Sequence, residues 1–216
     1  MKNAHALIKT LQSKASPERS KINASFFKTG ENQYGAGDLF LGIRVPTIRE
    51  EIKDYPNLEM NEVEKLLHNP FHEIRLAALL ILVQQFQKSD VKAQQTIYRF
   101  YLKNFKYVNN WDLVDSSAPK IIGPFLTEGH TVPLHKWSRS PRLWTRRIAI
   151  IATLNAIQRK RFEDTLTTAT LLLKDEEDLI HKAAGWMLRE VGKREQKPLH
   201  QFLNTHAALM PRTMLR

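Results

Sequence analysis

Apolar and polar positions alternate with helical period along most of the chain. MKNAHALIKTLQSK sets Ala4, Leu7, Ile8 and Leu11 on one helix face, and Lys9 and Lys14 interrupt the apolar run that a signal peptide needs. Four later segments share one theme, a charged or aromatic residue followed by small and branched apolar residues: HEIRLAALLILVQQF, NNWDLVDSSAPKIIG, LWTRRIAIIATLNAI and DLIHKAAGWMLREVG. With Arg75, Trp111, Arg147 and Lys182 in register the steps are 36, 36 and 35 residues, a period in the range of HEAT-like two-helix repeats. Asn61–Leu67, Val91–Lys103, Leu134–Ser138 and Phe162–Leu173 supply the partner helices. Asp90 is a candidate N-cap, and Pro70, Pro141 and Pro211 fall at first-turn positions. Strand alternation is sustained nowhere. The predicted fold is therefore all-α, a superhelical stack of HEAT-like repeats forming a curved solenoid, one domain over residues 1–216.

Stacked helix pairs curve, and their inner helices line a concave face. Arg75, Trp111, Arg147 and Lys182, or neighbours one turn away, are expected to look into it. The alternative for each basic residue is that it only covers a helix terminus. Helical density breaks at Thr29–Leu41, TGENQYGAGDLFL, which holds three of the eight glycines and reads as a loop, either a plain connection or a lid over the concave face. Gly35-Ala36-Gly37 lacks the third glycine of a dinucleotide fingerprint, because Phe40 stands there and no strand precedes it. No nucleotide cofactor is expected.

Charge sharpens this picture. Lys and Arg number 33 against 22 Asp and Glu, a net charge of +11, and between Glu128 and Glu163 there is no acid at all. Lys136, Arg139, Arg142, Arg146, Arg147, Arg159, Lys160 and Arg161 fall inside that window. A basic concave face suits a polyanion backbone through counterion release, the alternative being a solvated face with its acids elsewhere. There is no cysteine, which excludes disulfides, iron–sulfur clusters and thiolate zinc sites and suits the cytoplasm. The apolar stretch Ile148–Ile157 is interrupted by Thr153 and Asn155 and falls short of the roughly 20 residues that span a bilayer. His68 and His72 are four apart, but HNPFHEIR is not a His-Glu-x-x-His helix, and no metal is expected.

Two constellations remain that carry chemistry. In NNWDLVD, Trp111 and Asp115 are i and i+4, an aromatic face and a carboxylate on one helical surface. Structurally, Asp115 can pair with Arg146 or Arg147 and Trp111 can be core. Functionally, the carboxylate can stabilise an oxocarbenium-like sugar or orient a water, and the ring can attract a cationic group. In HKAAGWMLREVGK, Lys182, Trp186, Arg189 and Lys193 follow a helical stripe, while Ala183, Leu188 and Val191 turn to the core. A tryptophan among basic groups suits a sugar–phosphate backbone, although Lys and Arg stems can also simply cap it.

At these residues the sequence resembles the AlkD-like DNA alkylation repair family, glycosylases built of HEAT-like repeats. The resemblance runs through FLGIRVPTIRE (40–50), NNWDLVDSSAPKIIG (109–123), LWTRRIAI (143–150), AAGWMLREVGK (183–193) and MPRTMLR (210–216), and covers the chain from about Phe26 onward. It implies removal of cationic N3- or N7-alkylated purines from double-stranded DNA without base flipping, by a monomer needing no cofactor. On the same resemblance the catalytic aspartate matches Asp115, the sugar-facing tryptophans match Trp111 and Trp186, and the phosphate-binding arginine matches Arg147. Arg189 falls on a basic position near the DNA. Phe26 stands where the founding branch commonly has tyrosine. Arg146, Lys182 and Lys193 complete the expected DNA-binding set. Two departures stand out: a longer glycine-containing insertion at 30–39, and Asn110 before Trp111 at a position open to an aromatic. The rival reading is a non-catalytic repeat protein binding DNA or another protein through the same face.

Overall fold

Every regular element among the described residues, 2–126 and 132–216 of a computed structural model, is a helix; an isolated parallel bridge joins Leu39 and Phe71. The chain divides into two compact units, Met1–Leu113 and Val114–Arg216.

The first unit opens with α1 (Ala4–Gln12), capped by the Asn3 side chain, which accepts from the Ala6 N–H at 2.9 Å. Ala4, Leu7 and Leu11 are buried as their spacing predicts. Next come α2 (Pro17–Phe26), none of whose residues is buried, α3 (Val45–Glu51) and α4 (Met60–Leu67). The centre of the unit is α5 (His72–Lys88), buried almost all round from His72 to Val83, as a helix without a polar face must be. It packs against α3, α4 and α6 (Val91–Lys103), and Asp90 caps α6 by accepting from the Ala93 N–H at 2.8 Å.

Helix α7 (Trp111–Ile121) begins in the first unit and continues in the second. The second unit then comprises α8 (Gly123–Leu126), α9 (Val132–Ser138), α10 (Leu143–Ala152), α11 (Leu154–Gln158), α12 (Glu163–Leu171), α13 (Asp178–Arg194), α14 (Gln196–His206) and α15 (Arg212–Leu215). Its core is the apolar face of α10, Ile148 to Ala152, and that of α13, where Ala183, Leu188 and Val191 turn inward. At Gly185 a Cβ would lie 2.5 Å from the Met214 carbonyl, so the backbone of α15 rests directly on α13.

Two local expectations shift. Pro70 and Pro141 stand one residue ahead of the N-caps Phe71 and Arg142, and Pro211 is itself an N-cap, so none lies in a first turn. Positions ahead of a helix need no N–H donor and tolerate the fixed proline φ equally well. Pro17 and Pro46 do lie within first turns, as do Pro124, Pro133 and Pro198. The repeat register also moves. Arg147 and Lys182 are fifth residues of their helices, whereas Trp111 is the first of α7, so Asp115 falls into line with them. No helix among the described residues is long and apolar enough to cross a membrane.

Candidate functional site

In the first unit the site begins with rings. Phe26, at the end of α2, is 60% exposed and meets Trp111 edge to face at 6.0 Å. Phe27 stacks on Trp111 at 5.3 Å and on Phe40 at 5.0 Å. The fold thus joins two expected site residues, Phe26 and Trp111, that are far apart in sequence.

Behind the rings lies a buried charged cluster that sequence reasoning missed. Asp38, in the 29–41 loop, accepts from Arg75 Nη2 at 2.6 Å, Asn110 Nδ2 at 3.1 Å and Asn109 Nδ2 at 3.2 Å. His72 sits between two carboxylates, Nδ1 at 3.3 Å from Asp38 and Nε2 at 2.8 Å from Asp112. Burial works against the Asp38 charge, but the bonds from His72, Arg75 and Asn110 outweigh it and hold its pKa below the ordinary value. The two departures noted in the sequence are therefore partners: the 30–39 insertion delivers a carboxylate, and Asn110 is an amide because that carboxylate needs a donor. Arg75 also donates to the carbonyls of Asn69 and Pro70, so it belongs to the interior and not to an open face. His68 is turned elsewhere, stacked on Tyr107 at 3.8 Å. Nothing periodic announces Asp38 in a glycine-bearing loop; the hint was the acid itself, directly ahead of the apolar run Leu39-Phe40-Leu41.

The FLGIRVP segment has a structural task. Glu73 accepts from the backbone N–H groups of Leu41 (2.9 Å), Gly42 (2.8 Å) and Ile43 (3.3 Å). Gly42 has φ +79 and no room for a Cβ, which would meet the Ser16 carbonyl at 2.3 Å. Only glycine turns three successive N–H groups onto one carboxylate there.

In the second unit Asp115 and Arg147 meet. Arg147 Nε donates to Oδ1 at 2.9 Å and Nη2 to Oδ2 at 2.8 Å, while Nη1 donates to the Leu179 carbonyl at 2.5 Å. A guanidinium has five N–H groups, so each Nη retains one more. The Arg147 side chain is nearly buried; that of Asp115 is 18% exposed. Arg146 makes a parallel bidentate pair with Asp175, at 2.6 and 3.1 Å, and donates to the Ser140 carbonyl. Of the acid-free window, whose opening at 128–131 lies outside the described residues, Arg146 and Arg147 are thus taken inward. Lys136, Arg139, Arg142, Arg159, Lys160 and Arg161 stay exposed.

The α13 stripe is open as predicted: Lys182, Arg189 and Lys193 are exposed and Trp186 is half-buried. Trp186 borders a cleft of about 520 Å³ that Lys182, Arg189, Thr213 and Arg216 also line. Lys182 pairs with Asp178 at 2.7 Å, both side chains well exposed, and Lys193 with Glu190 at 2.7 Å, both pairs lying within α13. Arg189 donates to the Arg216 carbonyl at 2.6 Å.

No curated protein matches the chain. Among solved structures it is similar to a predicted DNA alkylation repair enzyme from Enterococcus faecalis, with 18% identity and a TM-score of 0.73 over 94% of this chain and 93% of that one. That likeness bears on the fold and agrees with an all-α helical-repeat architecture. A family model described as DNA alkylation repair enzyme matches residues 7–216, nearly the whole sequence. The chain belongs to the DNA alkylation repair enzyme family.

Proposed function

We propose that the protein is a DNA glycosylase that hydrolyses the N-glycosidic bond of cationic N3- or N7-alkylated purines in duplex DNA without flipping the base. An alkylated purine already carries a positive charge and leaves neutral, so the bond breaks without a general acid. The work left to the protein is to stabilise positive charge developing on the deoxyribose. The observation that carries the reading is Asp115: an aspartate left 18% exposed, with both oxygens held by one arginine, one helical turn from Trp111. A carboxylate fixed in advance needs no reorganisation as the sugar becomes cationic. Trp111 and Trp186 offer ring faces to a cation, and Phe26 extends the aromatic surface at Trp111. Arg189, Lys182, Lys193 and the exposed bases of 136–161 meet phosphates; Arg147 acts chiefly by orienting Asp115, with its outer N–H groups toward the backbone, and Arg146 contributes least.

The Asp115–Arg147 pair also favours a second reading, in which Asp115 is a structural partner and the protein binds DNA without cutting it. Incubation with methylated duplex DNA and assay of free 7-methylguanine and 3-methyladenine separates the two. Base release by the wild-type chain that falls in Asp115→Asn, with DNA affinity retained, supports the glycosylase; no release at all supports the binder.

A further inference from the structure

The buried cluster of the first unit lies outside the chemistry just described, yet it reaches Trp111 twice. We propose that His72 is a positioning residue for the Trp111 face: an imidazolium clamped between Asp38 and Asp112 that fixes the first turn of α7 and the ring stack ending on Trp111. Only its effect on rate rests on the glycosylase reading.

The geometry requires the charged ring. A neutral imidazole has one donor nitrogen, whereas His72 turns Nε2 to Asp112 Oδ2 at 2.8 Å and Nδ1 to Asp38 Oδ2 at 3.3 Å, so both contacts are attractive only with both nitrogens protonated. Arg75 is paired to Asp38 at 2.6 Å, and Glu73, the next residue along α5, is turned to the Leu41–Ile43 amides. Asp112 is left as the counter-charge of the ring. Burial opposes the imidazolium, but the bonds to Asp112 and Asp38 hold its pKa above the ordinary histidine value. Phe40 and Phe27 flank the ring at 4.7 and 4.8 Å and present π faces to a cation.

From His72 one route to Trp111 runs through the backbone, since Asp112 is the next residue, and its Oδ1 also accepts from the Leu113 N–H at 2.9 Å. The other runs through Phe27, stacked within 17° of parallel on Trp111. Loss of the Nδ1 proton turns a lone pair toward Asp38, which keeps Arg75, Asn109 and Asn110 as donors. The loop end carrying Phe40 then loses its hold on the His72 ring, and the stack on Trp111 loosens.

The test uses the full-length ¹⁵N-labelled protein, followed by imidazole and indole N–H resonances from about pH 5.5 to about pH 9, which brackets the ordinary histidine value. The Trp111 indole is assigned by its loss in Trp111→Phe. Its resonance is expected to move with the His72 ring, at a midpoint above 6.5, and that movement is expected to vanish in His72→Gln, which keeps one donor but no charge. A His72 midpoint at or below the ordinary value, or a Trp111 resonance flat across it, overturns the proposal, and both are read on the wild-type protein. Asp112→Asn should lower the midpoint; an unchanged midpoint also overturns it. In the methylated-base assay the wild-type rate should fall about tenfold across the midpoint with KM within about twofold, a loss of placement and not of binding. A wild-type rate flat across the midpoint refutes the positioning role. If the wild type releases no base while the two resonances titrate together, the glycosylase reading fails and the clamp stands.

Discussion

Asp38 with Arg75 in the first unit and Asp115 with Arg147 in the second are the same pair of side chains in different surroundings. Asp38 is 4% exposed and accepts from four side chains, Arg75, His72, Asn109 and Asn110. Asp115 accepts from Arg147 through both oxygens, and its side chain is 18% exposed. A carboxylate wrapped by donors from two parts of the chain, α5 and the segment ahead of α7, is enclosed in the fold. One paired through both oxygens with Arg147 is as well oriented, and part of its side chain is open to solvent. The contrast is why the proposed chemistry is placed on Asp115 and not on the fully buried Asp38.

That assignment can be broken in several ways. The largest effect is expected at the first pair: Asp38→Ala leaves the Arg75 and His72 charges buried without their carboxylate, and urea unfolding should show a loss of about 3–5 kcal/mol. Next comes Asp115→Asn, which should raise the barrier to base release by about 3 kcal/mol while affinity for undamaged DNA holds or rises slightly. The comparison collapses if this variant instead loses as much stability as Asp38→Ala and loses binding and cleavage in parallel. Trp186→Ala is expected to slow release by about 1 kcal/mol, because a ring facing a cation contributes less than a charge. Measured single-turnover rates equal to wild type would remove Trp186 from the site.

Acidity gives a smaller and two-sided effect. His72 has its pKa raised, so its contribution is complete below 6.5 and is lost as pH rises through the folded value. Asp38 has its pKa lowered, so its contribution is complete above 3.8 and is lost as pH falls through the folded value. Thermal melting should therefore be highest between these limits, and the alkaline decline should disappear in His72→Gln. Smallest of all, Lys182→Ala and Lys193→Ala should each flatten the salt dependence of DNA binding by about one unit of log–log slope without altering sequence preference. An unchanged slope would take the α13 stripe out of the interface.

What the sequence made legible follows from period. The bounds of α6 and its Asp90 cap, the buried face of α1 and the inward turn of Ala183, Leu188 and Val191 all depend on neighbours within a turn or two, and all stand in the structure. The Phe26–Trp111 contact was not legible, because 85 positions separate two residues whose meeting depends on how α2 and α7 dock. Asp38 was hidden for a different reason: in a loop rich in glycine, an acid reads as solvated unless its donors are known, and those come from residues 72 to 110. Sequence also left open whether Arg146 or Arg147 would pair with Asp115. The pitch of α10 decides it, turning Arg147 to Asp115 and Arg146 to Asp175.

The Glu73 cradle has a consequence for how the molecule breathes. The amide protons of Leu41, Gly42 and Ile43 lie outside any helix, where exchange with solvent deuterium is ordinarily fast, yet all three are bonded to one side chain rooted in the first turn of α5. They should exchange as a group, at the slow rate of that buried turn and not at the rate of a loop. A stretch of irregular backbone thus shares the opening free energy of the helix it touches, so the loop-to-α3 connection opens only when α5 begins to unwind.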